Sequence, residues 1–203
     1  MVDIGKRYGK ETVAIITNMD YPLGKTIGNS LEVLEAISTL DGKGDNNFTK
    51  LCLVLSSYMV SMGKNISIEE AANEVNYRFN NKDALKKFKD FIIMQGGDIT
   101  KIPINNNVVK IYSENSGYIT NIDAFLLANL CNSLGAGRIE KDDKINPSVG
   151  IRLYKSINDK VTTGELLMDV YTDKEINKDE YLEAIKVSIN KIYDTNIIYD
   201  VIK

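Results

Sequence analysis

The run Thr12-Val13-Ala14-Ile15-Ile16-Thr17 is the one convincing strand in the first hundred residues, and it is surrounded by helices. It is β-branched and apolar without polar alternation, the pattern of a strand covered on both faces. Buried backbone donors and acceptors have to be paired, and a lone strand is not stable by itself. The run therefore calls for partner strands that its helical neighbourhood does not offer. We expect them to come from another chain or from sequence preceding Met1, with at least one edge of the run left unpaired or paired with another copy.

The neighbouring segments read as follows. Val2 to Lys6 has the look of a helix tail ending near Gly5 or Gly9. Asn18 to Lys25 is a loop holding Pro22 and Gly24. Asn29 to about Leu40 is a helix with Asn29 and Glu32 in capping-box spacing. Phe48 to Met62 is apolar nearly all round, which predicts a buried helix ending at Gly63. Ser67 and Glu70 cap a third helix to about Phe79, and Asp83 to Gln95 is a fourth, stopped by Gly96-Gly97.

Asp98 to Asn107, with Pro103 and three consecutive asparagines, reads as a linker. Beyond it the period changes. Val108 to Tyr112, Gly117 to Ile122, Val149 to Tyr154 and Leu166 to Tyr171 are candidate strands, with a helix from the N-cap Asp123 to Leu134 ended by Gly135, and another from Asn177 to Tyr193. The fold class is mixed α+β and α/β: a helix-rich remnant of an α/β domain over 1–98, a linker over 99–107, and a small α+β domain over 108–203.

The chain contains no histidine, which excludes Ser-His-Asp and Cys-His catalysis and histidine metal ligands from these residues. Net charge is −3, giving no electrostatic case for a nucleic-acid or membrane partner. No apolar run reaches the roughly 20 residues of a membrane span, and Met1 to Lys6 has no apolar core of a signal peptide, so a cytoplasmic protein is expected. Cys52 and Cys131 lie in apolar stretches and read as buried free thiols; no Cys-x-x-Cys pattern supports zinc.

The segment Pro22 to Glu35 joins the buried-type strand to a helix, a place where α/β proteins bind ligands. Its glycine spacing matches neither a P-loop nor a dinucleotide fingerprint and reads as a structural turn. The wider segment Ala14-Ile15-Ile16-Thr17-Asn18-Met19-Asp20-Tyr21-Pro22-Leu23-Gly24, with Gly28-Asn29-Ser30-Leu31-Glu32-Val33, resembles the thymidine and pyrimidine-nucleoside phosphorylases. Val2 to Arg7, Gln95-Gly96-Gly97-Asp98, Ser116-Gly117-Tyr118, Leu134-Gly135-Ala136-Gly137-Arg138 and Val149-Gly150-Ile151 match the same family in order, over nearly the entire chain.

The resemblance implies the C-terminal half of an enzyme that exchanges the base of a pyrimidine nucleoside for phosphate. It also implies a hammerhead or barrel-sandwich-like C-terminal domain. The family grips phosphate with Lys, Ser, Thr and His residues upstream of everything aligned, so no catalytic or phosphate-binding residue is assigned. One site falls partly within the chain: a structural potassium-like cation, for which the resemblance implies main-chain oxygens of Leu23 and Thr26 and the carboxylate of Glu35. The family more often has Ala where Thr26 stands, and a main-chain oxygen survives that change. No organic cofactor is implied.

Arg138 reads as a packing or surface-ion-pair residue near Glu140 or Asp142, with contact to phosphate or nucleoside as the sharper alternative. Ile157 to Leu167 resembles the hairpin of biotinyl and lipoyl carriers, but Lys155 and Lys160 lack the carrier setting. Phosphate and nucleoside are expected as partners only in the complete enzyme, and the other half, or another copy of the chain, is the expected protein partner. The alternative reading is a non-catalytic interaction module derived from this family.

Overall fold

The computed structural model describes residues 1–191 and 196–203, and it is mixed helix and sheet. Contacts group the chain into two compact units. One comprises Met1–Asn18, Ser38–Gly97 and Asn196–Lys203; the other comprises Met19–Ile37 and Asp98–Thr195. The expected halves at 1–98 and 108–203 thus each contribute a piece to the unit built mainly from the other.

The unit around 98–195 carries the core. Its larger sheet is antiparallel, in the order β2 (Thr26–Ile27), β5 (Gly150–Leu153), β7 (Leu166–Tyr171), β3 (Val108–Tyr112). A second, three-stranded sheet has the order β6 (Lys160–Val161), β4 (Gly117–Ile122), β8 (Ile185–Ser188). Both sheets are open, and no barrel closes among the described residues. Helix α6 (Ala124–Cys131) runs into a π-helical turn, Asn132–Ala136, and α7 (Lys178–Glu183) precedes β8. Ile111, Ile119, Leu127, Ile151, Met168, Val170 and Tyr181 from these elements are almost completely buried together.

Local chemistry accounts for the elements. Asp123 accepts from the Leu126 amide at 2.9 Å, capping α6 as expected, and Gly135 turns the chain with φ 111°. In β4, Ile119 and Ile122 both face the core although three positions apart, because a register slip between Ile119 and Asn121 restores the phase. Gly28 and Gly150 let β2 and β5 meet closely: a Cβ at Gly150 would fall 2.6 Å from the Ile27 carbonyl oxygen, and one at Gly28 would fall 2.7 Å from that of Val149.

The helix expected over Asn177 to Tyr193 is corrected. It stops at Glu183, and Ile185-Lys186-Val187-Ser188 becomes β8, where β-branched alternation pairs with β4 instead of continuing a helix. The end of that expected helix, from 192, lies outside the described residues.

The other unit contains α1 (Val2–Arg7), a ribbon of β1 (Ala14–Thr17) with β9 (Ile198–Ile202), and the helices α3 (Asn46–Lys64), α4 (Ile68–Asn80) and α5 (Asp83–Met94). Helix α2 (Asn29–Leu40) begins in the core-bearing unit and ends in this one. Here the expectation for the first strand is corrected. Its partner comes from this chain's own far end: Ala14 faces Ile202 and Thr17 faces Ile198, antiparallel. The Asn18 amide continues the ribbon by donating to the Ile197 carbonyl at 2.8 Å. The opposite edge of β1 has no strand beside it among the described residues, as expected, and Ile16 is 44% exposed, so the run is not covered on both faces.

Helix α3 also departs from expectation. It starts after Asp45, which accepts from the Asn47 and Phe48 amides, and ends at Asn65 in the left-handed conformation, so Gly63 lies inside it. Only Leu51 and Ser57 are buried along it, and Leu55 and Met59 are exposed. The Ser67–Glu70 capping box forms as read.

Candidate functional site

The loop between β1 and α2 is held by two carboxylates one helical turn apart. The Lys25 amide donates to Glu35 Oε1 at 2.6 Å. The Thr26 amide and hydroxyl both donate to Glu35 Oε2, at 3.2 and 2.6 Å. Glu32 Oε1 accepts from the Gly28 amide at 3.0 Å, and the Ser30 amide donates to the Pro147 carbonyl oxygen at 3.1 Å. These four amides are spent on protein acceptors and are not free to hold an anion. The glycine-spaced loop is a structural turn, as its sequence implied.

The expected capping box on α2 is shifted by one residue. Glu32 reaches Gly28, while Asn29 Nδ2 donates to the Ala136 carbonyl oxygen at 2.7 Å and ties the helix start to the π-helical turn. The i to i+3 spacing was legible; which end of it belonged to Glu32 depended on a tertiary contact more than a hundred residues away.

A row of charged side chains crosses the larger sheet beside this loop. Thr26 pairs with Arg152, Arg152 with Asp169, and Asp169 with Lys110 across successive strands. Asp169 is buried and accepts from Tyr154 Oη at 2.7 Å and Lys110 Nζ at 3.3 Å. Burial, and then the Asp169 hydrogen bond and charge, raise the Tyr154 phenol above its ordinary pKa. Arg152 lies over the Tyr171 ring at 5.8 Å. Sequence reasoning missed this cluster, although a lone acid inside Leu-Leu-Met-Asp-Val-Tyr was its signal.

Comparison with known proteins adds what geometry alone does not. Residues 118–191 match the family profile described as the pyrimidine nucleoside phosphorylase C-terminal domain. The chain is 39% identical over 210 residues to the pyrimidine-nucleoside phosphorylase of Geobacillus stearothermophilus, covering 98% of this chain and 48% of that one. It is also 39% identical over 196 residues to those of Staphylococcus haemolyticus (strain JCSC1435) and Staphylococcus aureus (strain USA300), covering 93% of this chain and 45% of each. The chain belongs to the pyrimidine-nucleoside phosphorylase family. It spans about half the length of the curated relatives it matches.

Within that family frame, the residues implied for a cation converge in part. Thr26 and Glu35 are in direct contact, and Leu23 is half-buried in the same loop. The carboxylate takes three protein donors, and Oε1 takes only one of them, leaving it a further acceptor direction. Gly24 lies against the carboxylate so closely that a Cβ there would fall 2.4 Å from Oε2. The donor set is oxygen only, which suits a hard cation. Among the described residues, no three His, Cys, Asp or Glu side chains gather as a metal cluster.

The remaining candidates are placed as follows. Arg138 is exposed and forms no ion pair among the described residues; Asp143, not Arg138, organises that turn by accepting from the Ile139 and Glu140 amides. Lys155 donates to Glu165 and to the Lys160 carbonyl oxygen, so it is tied down and does not stand at a hairpin tip. Both cysteines are free, as expected, but only Cys131 is buried; Cys52 is corrected to half-buried, on a helix with few covered positions. Burial, with the Glu32 charge second, pushes the Cys131 thiol up to about 11, and burial also raises half-buried Cys52. Neither has the depressed pKa of a nucleophile. No single helix among the described residues is long and apolar enough to cross a membrane.

Proposed function

We propose that this chain supplies the C-terminal portion of a cytoplasmic pyrimidine-nucleoside phosphorylase, which converts a pyrimidine nucleoside and phosphate to free base and pentose 1-phosphate. The observation that carries the reading is the 39% identity sustained over 98% of the chain with an enzyme of that name. The 203 residues contain no histidine and no counterpart of the Lys-His-Ser segment with which the family grips phosphate, so the chain is proposed to be inactive alone. Its contribution is positional. The glycine seam between β2 and β5 and the two glutamates of α2 hold the loop ahead of α2 in one arrangement, and preorganised positioning of this kind is a large part of enzymatic rate enhancement. Where a potassium-like cation binds, the main-chain oxygens of Leu23 and Thr26 and Glu35 Oε1 would hold it, supplying fixed positive charge to the loop.

The test is phosphate-dependent release of uracil or thymine, measured for the purified chain and for its mixture with a separately expressed N-terminal half of the Geobacillus relative. Turnover only in the mixture is the expected result. Turnover by the chain alone would overturn the proposed inactivity, and none in either would favour the second reading, an interaction module. One observation supports that second reading: the outer edge of β1 has no strand beside it among the described residues, and the same unit exposes Leu55, Met59, Phe91 and Ile93. In both readings the proposed protein partner is the other phosphorylase half or a second copy of this chain.

A further inference from the structure

Glu35 is a carboxylate without a side-chain counter-charge. Among the described residues it forms no ion pair. The lysine of the same loop, Lys25, sends its ammonium to Ser156 Oγ, and Arg152, across the strand from Thr26, leans over Tyr171. The negative charge is met only by dipolar donors: the amides of Lys25 and Thr26 and the Thr26 hydroxyl at 2.6 Å. The hydroxyl and the Thr26 amide occupy both lone-pair directions of Oε2. The carboxylate lies where a side chain at position 24 would begin, with Oε2 2.4 Å from the place of a Cβ.

The hydroxyl is also fixed in advance. Thr26 is β-branched, with few χ1 choices, and its backbone is pinned in β2 against Arg152. A hydroxyl held this way forms a charge-assisted hydrogen bond without further ordering. Without it, Oε2 would keep one donor, and the loop would hold an anion short of a partner.

We propose that the Thr26 hydroxyl acts as a built-in substitute for the cation. It closes the Leu23–Gly28 loop on Glu35 with no ion present, and so makes the loop's order independent of potassium and its cation affinity weak. The inference rests on the cation reading above and assigns Thr26 the role of tuning that site.

The experiment is thermal unfolding of the full chain and its Thr26→Ser, Thr26→Val and Thr26→Ala variants. Potassium chloride is titrated against tetramethylammonium chloride at constant ionic strength. The wild type and Thr26→Ser are expected to melt at nearly the same temperature in either salt. Thr26→Val and Thr26→Ala are expected to melt lower in tetramethylammonium and to recover with potassium, with an apparent affinity on the order of tenfold tighter than the wild type. Thr26→Val keeps the shape and β-propensity of the residue, so it reads the hydroxyl even where Thr26→Ala folds poorly. An equal potassium response in all four proteins removes the role given to Thr26 and leaves the cation reading standing. No response in any of them removes both.

Discussion

The two units of this molecule are made from similar proportions of apolar sequence but use it differently. In the unit built mainly from 98–195, residues of two sheets and two helices bury one another in a continuous cluster that includes Tyr181 and Cys131. The unit holding α3, α4 and α5 buries only Val2, Leu51, Ala71, Leu85 and Ile197 among its apolar residues, while Met59, Tyr77, Phe91 and Ile93 are exposed. The contrast teaches that an apolar segment reports a need for cover, not where the cover is. Helix α3 carries the run Leu51 to Leu55 and then Tyr58 to Val60, yet of these only Leu51 is fully buried.

The largest effect that could break this comparison comes from truncation inside each unit. Leu127→Ala or Ile151→Ala, both fully buried, should cost about 2–5 kcal/mol in chemical denaturation. Met59→Ser on exposed α3 should cost no more than about 0.5 kcal/mol. Equal losses at the two places would show that the second unit has a core after all.

Alkali should separate the units next. Burial lifts Tyr181 to about 12 and Cys131 to about 11, both above their ordinary values. The folded chain then keeps protons that the unfolded chain releases, so stability is intact below about pH 9 and falls as pH rises toward 11 and 12. The slope should be on the order of 1.4 kcal/mol per pH unit for each group. Unfolding midpoints across pH 8–11 check this, and Cys131→Ala should flatten the lower part of the fall. A stability curve unchanged through that range would contradict the burial of both groups.

The smallest effect sharpens the comparison from the other side. Ser67→Ala removes the N-cap of α4 and should cost about 1 kcal/mol, seen as faster amide exchange confined to that helix. Burial pulls little weight in this unit, so a local cap should matter more there than its size suggests. Spread of the exchange into β5 and β7 would mean that the units unfold together.

Local signals were legible in the sequence and partnerships were not. The Ser67–Glu70 box, the Asp123 cap, the Gly135 turn and the strands at 108–112, 117–122 and 166–171 follow from residue types a few positions apart. The strands Thr26–Ile27 and Ile198–Ile202 were not found, because each is defined by a partner distant in the chain. At the candidate site, Glu35 and Thr26 were singled out through a resemblance. The Thr26 hydroxyl bond and the buried Asp169 cluster needed the cross-strand register to become visible. Ile185 to Ser188 failed for a different reason: its composition suits both periods, and pairing with β4 decided between them.

The pairing of β1 with β9 also sets a clock. Ala14 is made well before its partner Ile202. At the ~5–20 residues per second of protein synthesis, the apolar run of β1 has to wait on the order of ten seconds or more before its partner strand exists. Throughout that interval the edge that β9 will cover is open to anything extended that passes. Whatever keeps a newborn copy of this protein from clinging to its neighbours on the same messenger must act during translation, since the finished ribbon comes too late to do so.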